Sequence, residues 1–325
     1  MADDAKSSGD KKGGESLVTV IVALVANALI AVAKSVVAVI TGSASMVAEA
    51  AHSWADAGNE IFLLTAERRA AKPRDDQHPF GYGREAYVWS MFAAFGLFGA
   101  GAVVSVWHGI QSLTAPEGET EYFWAYVVLG IAFVLESVSF VQASRQTRAE
   151  ARQRGLHALP YLGYTSNPTL RAVFAEDAAA LVGIVLAGTG ILLHQVTGNA
   201  VWDAVGSILV GLLLGVVAIY LISRNRDFLV GETVRPELWR KVLGELTDSP
   251  EVERVTFLHL EFVGPSRMLL VAAVDLVGEE TESQVAEKLT SIGRRIEESD
   301  AIERAMVTLS RPDAPTLEPD AAPAA

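Results

Sequence analysis

Residues 42–65, GSASMVAEAAHSWADAGNEIFLLT, have the length of a membrane-crossing helix yet carry Glu49, His52, Asp56 and Glu60. At about 100° per residue these four fall within roughly 80° of arc, a single polar stripe on an Ala/Val/Leu/Trp/Phe cylinder. In a bilayer each such group costs about 2.5 kcal/mol or more unless it faces partners or water, which makes a functional site the default reading. The competing reading is a soluble amphipathic helix whose charged face is wet. The rest of the chain decides between them.

Half of the 325 residues are hydrophobic, which suits a membrane protein with a modest soluble part. The chain has no cysteine, so thiolate metal sites, disulfides and thiol catalysis are excluded. A net charge of −13 argues against nucleic acid as a partner. Outward from the opening stretch, further apolar runs occupy residues 17–40, 86–113, 123–143, 168–194 and 201–222. Each is near or above the ~20 residues that span a bilayer. The first begins at Leu17 and is too long for a cleaved leader, so it is read as the first span. Asn27 and Lys34 within it are expected to face other helices, and glycines 96, 99, 101 and 109 in the third to permit close helix approach.

Lys and Arg occur before the first run, after the second, after the fourth and after the sixth, and are missing from the three intervening loops. By the positive-inside rule this predicts six spans with both termini cytoplasmic. It is also the strongest argument against a wet, soluble helix. The expected organisation is a disordered cytoplasmic tail at 1–15, a six-helix transmembrane domain at 16–230, a cytoplasmic domain at 231–310 and a disordered Pro/Ala-rich tail at 311–325. Beyond residue 231 the pattern reads helix 236–247, strands 252–262 and 268–277 joined by a GPS turn, an amphipathic helix 282–299 and a strand 305–309. That order predicts a small ferredoxin-like α+β domain.

His52 and Asp56 are an i, i+4 pair and can bind one divalent cation from a single helix face. The fifth run supplies Glu176 and Asp177 as its only acids, well inside a helix whose start Asn167 and Pro168 already mark. Glu136 and Glu60 are read as proton relays or as interhelical hydrogen-bonding acids, and Glu49 as an access or relay group. Asp203, opening the sixth run, is expected to favour the dipole of its own helix. His78 with Asp75 and Asp76 reads as either a metal site or a turn.

With these residues in hand, the chain resembles the cation diffusion facilitator family. The resemblance runs from about residue 18 to residue 309 and rests on GSASMVAEAAHSWAD, HPFGYGREAYVW, the Trp202–Asp203 pair and the six-helix plan. It is closest to the branch holding a mitochondrial zinc transporter and its bacterial relatives, whose marks include HPFGYGR and FAED. The resemblance implies a homodimeric export carrier of the cell (inner) membrane. Each protomer would hold a divalent cation, typically Zn²⁺, midway across and exchange it for protons. The family's paired ligands map to His52 and Asp56 on the second helix and Asp177 on the fifth. The position four before Asp177 is Val173, which cannot coordinate.

Tetrahedral zinc wants four ligands. Glu176 is the first candidate for the missing one, a water the second, and Glu49 or Asn27 the third. A set of one imidazole and several carboxylates is hard, so Mn²⁺, Fe²⁺ and Co²⁺ remain alternative substrates. Binding needs neutral His52 and ionised carboxylates, so protons and metal compete, with His52 as the exchanging group. His259 and Glu261 share a strand face, and with one histidine in the soluble domain dimerisation is favoured over metal sensing. No H-E-x-x-H, G-x-S-x-G or P-loop pattern supports a membrane-embedded zinc hydrolase, and a non-transporting scaffold leaves the polar stripe without a purpose.

Overall fold

The computed structural model describes residues 24–114 and 121–318; the expected N-terminal tail, the start of the first span and the end of the C-terminal tail lie outside them. The chain divides into two compact units, residues up to 66 with 88–225, and residues 67–87 with those from 226 onward.

The first unit is a membrane-spanning helical bundle. Five helices are long and apolar enough to cross: α1 (Leu24–Thr41), α3 (Glu85–Ser112), α4 (Tyr122–Gln153), α6 (Pro168–Thr197) and α7 (Val201–Val230). Between α1 and α3 lies α2 (Ala44–Ala70), 27 residues long, whose polar stripe holds its hydropathy below theirs. Gly42 makes the turn from α1 to α2 at φ 64°, where a side chain would be strained, and its N–H closes α1 on the Ala38 carbonyl at 2.9 Å.

Small residues set the packing distance. A Cβ on Gly109 would stand 2.7 Å from the Ile208 side chain and 2.9 Å from the Ala204 carbonyl, so α3 lies directly on α7 there. Gly99, by contrast, faces open space. Gly109→Leu is therefore expected to force α3 off α7, an overpacking cost of about 1–3 kcal/mol. A lowered melting temperature of the solubilised protein is the readout, and an unchanged one would refute this packing.

Two stretches differ from the sequence reading. α4 runs to Gln153, through what reads as a polar linker, because QASRQTRAEARQ is made of strong helix formers and its charges are compatible with water at a helix end. A short helix, α5 (Ala158–Tyr164), follows, pinned by the Tyr161 hydroxyl donating to Glu150 Oε2 at 2.7 Å. Asp203 stands in the first turn of α7, as read from the sequence, and its side chain also serves α2. Its carboxylate accepts from Ser43 Oγ at 2.9 Å, from Ala44 N at 2.6 Å and from Ser45 N at 3.2 Å, while Ser45 Oγ donates to the Asp203 carbonyl at 2.8 Å.

The second unit is a small α+β domain with the element order read from the sequence: α8 (Pro236–Thr247), β1 (Val252–Gly264), β2 (Arg267–Leu276), α9 (Glu282–Glu297) and β3 (Ile302–Leu309). The open three-stranded sheet runs β1-β2-β3, antiparallel between the first two and parallel between the last two. Trp239, Leu243, Leu258, Leu260, Leu270 and Ile292 fill its core, and the Trp239 indole donates to the Leu258 carbonyl at 3.0 Å. Of the expected disordered tail, residues 311–318 are described and are tied to β1: Leu317 N donates to the Val255 carbonyl at 2.8 Å and Arg254 to the Ala314 carbonyl at 2.9 Å.

The HPFGYGR loop belongs to this unit. Gly83 lies against the backbone of Val263 and Gly264, and Arg84 ion-pairs with Glu261. Asp75 accepts from the backbone of Gln77 and His78 and from the Tyr82 hydroxyl at 2.7 Å, which holds its carboxyl below the usual carboxylate range. The turn reading therefore accounts for Asp75.

A candidate intramembrane metal site

The polar stripe of α2 points inward. His52 is 1% exposed and neither ring nitrogen has a hydrogen-bond partner among the described residues; Nε2 lies 3.5 Å from Asp56 Oδ2. A buried imidazole with both nitrogens open costs free energy that a bound cation would recover.

Asp56 opens onto a cavity of about 140 Å³. Glu60 joins it there from α2, Glu136 and Ser139 from α4, and Glu176 and Asp177 from α6. Three helices thus deliver five carboxylates to one small space. Uncharged donors hold three of them. Asn27 of α1 donates to Glu60 at 2.6 Å, Asn59 of α2 to Glu176 at 2.9 Å, and Ser139 to Asp177 at 2.7 Å. Asp56 Oδ1 and Glu60 Oε2 have no partner among the described residues. Val173 stands in the same wall, one turn before Asp177, where it offers only methyl groups.

The sequence-predicted acids therefore divide. Asp56, Glu60, Glu136, Glu176 and Asp177 share the cavity, with His52 beside Asp56. Glu49 does not line it: its Oε2 accepts from Lys34 Nζ at 2.8 Å, and both side chains are fully buried. Among the described residues no three His, Asp or Glu side chains are already within reach of one ion, so coordination requires these groups to draw together. Asn59 and Ser139 escape a reading of charge alone. Their signal is spacing, since Asn59 lies three residues after Asp56 and Ser139 three after Glu136, each on the same helix face as that acid.

Comparisons with known proteins point the same way. A family model for the cation efflux transmembrane domain matches residues 20–230. The "Proton-coupled zinc antiporter SLC30A9, mitochondrial" of Xenopus laevis is 34% identical over 269 residues, 83% of this chain and 48% of that protein. Its Homo sapiens counterpart is 31% identical over 83% of this chain and 47% of its own length. "Metal tolerance protein C4" of Arabidopsis thaliana is 35% identical over 72% of this chain and 51% of that protein. The chain thus spans about half the length of these curated relatives.

Proposed function

The chain belongs to the cation diffusion facilitator family of cation-efflux proteins, transporters rather than enzymes, and from that premise we propose that it exports a divalent metal cation from the cytoplasm in exchange for protons. Zn²⁺ is the first-choice substrate, with Mn²⁺, Fe²⁺ or Co²⁺ as the alternative. The observation that carries the proposal is the meeting of five carboxylates and a buried histidine at one cavity among apolar helices. Carboxylates there are tolerable when they hold either a cation or protons. Those two loadings are the two halves of an antiport cycle. The two SLC30A9 relatives, both named as proton-coupled zinc antiporters, support the same reading.

In this scheme His52, Asp56 and Asp177 bind the metal and Glu176 completes the set, with Glu60 and Glu136 as proton-access groups on the cavity wall. The carrier is a multi-pass protein of the inner membrane with six spans, α2 included, and cytoplasmic termini, as the Lys/Arg distribution implies. It works by alternating access as a homodimer, its C-terminal unit a ferredoxin-like dimerising domain.

The test is metal uptake into vesicles reconstituted with the full chain, using a panel of divalent cations. Uptake should accelerate when the vesicle interior is made acidic, because internal protons discharge the site, and should slow when the outside is acidified, because protons then compete with metal. Uptake indifferent to the pH gradient would remove the antiport mechanism. No uptake of any divalent cation would remove transport itself.

A further inference from the structure

The polar stripe of α2 does not stop at His52. Toward the α1–α2 turn the next group on that face is Glu49, three residues earlier. Lys34 of α1 and Glu49 form an ion pair with 0% exposure on both sides, 2.8 Å apart. The second oxygen, Oε1, has no hydrogen-bond partner among the described residues. On α6, Gly183 comes so near that a Cβ there would lie 3.0 Å from this oxygen, so the α6 backbone closes over the carboxylate.

The pair and the cavity lie on opposite sides of His52 along α2. Along α2 the cavity wall runs from Asp56 to Leu63, toward the Ala70 end, and Val173 near the start of α6 belongs to it. The pair lies on the Ala44 side, and beyond it come Ser45, Ser43 and the Asp203 clasp, all buried. A cation bound at His52 and Asp56 and travelling to the α1–α2 turn therefore meets Glu49 first.

A buried ion pair is a poor way to hold two helices, because apolar residues of similar volume are often as good or better. Two charges kept at membrane depth therefore suggest a use beyond stability. We propose that Glu49 is the carboxylate that receives the cation as it leaves His52 and Asp56. Lys34 is a tethered cation that holds Glu49, and so shuts the route, until the metal displaces it. No covalent bond or proton changes hands in this step: the ammonium stays charged and the metal takes its place on the carboxylate. The inference rests on the transport reading above and adds to it the residue on the exit side.

The experiment compares Zn²⁺ binding with Zn²⁺ flux in the full chain. Binding is measured by calorimetry in detergent and flux in phosphatidylethanolamine/phosphatidylglycerol vesicles, for the parent, Glu49→Gln and the charge-free Lys34→Met/Glu49→Leu double variant. Each variant should bind Zn²⁺ within about threefold of the parent while transporting it at least about tenfold more slowly, since only the step after binding has lost its ligand. Parent-like flux in a folded variant overturns the proposal. So does loss of binding in step with flux, which would put Glu49 in the binding site. Failure of both variants to elute as folded protein would make the pair a structural tie and overturn it as well. A parent chain that moves no divalent metal overturns the transport reading, and this inference with it.

Discussion

Asp56→Asn is expected to reduce metal flux in reconstituted vesicles to background while leaving the protein folded. Asparagine matches aspartate in volume, and the carboxylate it replaces has one oxygen, Oδ1, without a hydrogen-bond partner among the described residues, so little native bonding is lost. What disappears is the negative charge on the cavity wall nearest His52. A divalent cation in a low-dielectric site depends on such charge, and losing about 3 kcal/mol of it weakens binding roughly a hundredfold. His52→Ala should be nearly as severe, because it removes the imidazole from the set. Glu60→Gln is the informative contrast. Glu60 already accepts from Asn27 at 2.6 Å, so its amide variant can stay in place, and metal binding should survive with altered pH dependence. Metal titration of the purified variants separates the cases. Parent-like flux in Asp56→Asn or His52→Ala would sink the site assignment.

The helical bundle and its polar stripe were legible in the sequence for a simple physical reason. A bilayer imposes length and hydropathy on every span, and the segment that violates hydropathy while keeping the length must hide its polar face. α2 is that segment, and the composition that keeps it out of the apolar helices is the composition of the candidate site. The acids of α6 were legible on the same ground. Val173, which brings only methyl groups to the cavity wall, was legible in the same way.

Pairings between helices were not legible, because they depend on how each helix is rotated and how deep each side chain sits. Lys34 could be expected to face another helix, but nothing in its neighbourhood names Glu49, fifteen residues away. The same holds for Asn59 with Glu176, across 117 residues. The end of α4 was misjudged for a different reason. Hydropathy falls at residue 144 while helix propensity does not, and beyond the membrane it is propensity that decides. Residues 311–318 show the reverse: a composition typical of disorder, held to β1 by backbone and arginine hydrogen bonds that composition does not encode.

Asp203→Ala should cause a large loss of stability for a single substitution, although Asp203 lines no part of the carboxylate cavity. Its carboxylate takes the backbone N–H groups of Ala44 and Ser45 and the hydroxyl of Ser43, all buried, at the start of α2. The first N–H groups of a helix have no partner within it; Ser43, just before α2, accepts from Met46 N at 3.1 Å while donating to Asp203, which leaves the Ala44 and Ser45 N–H groups to the Asp203 carboxylate. Removing the carboxylate leaves two backbone donors unsatisfied, at about 1–3 kcal/mol each, and removes a negative charge from the positive end of the α2 dipole. The sum is about 2–7 kcal/mol. Asp203→Asn should fall between, because its amide oxygen still accepts while its charge is gone. Thermal unfolding followed by tryptophan fluorescence orders the three proteins. If Asp203→Ala melted with the parent, packing alone would be holding the α1–α2 turn against α7, and the clasp would have no part in setting where α2 begins or in aligning its polar stripe with the acids of α6.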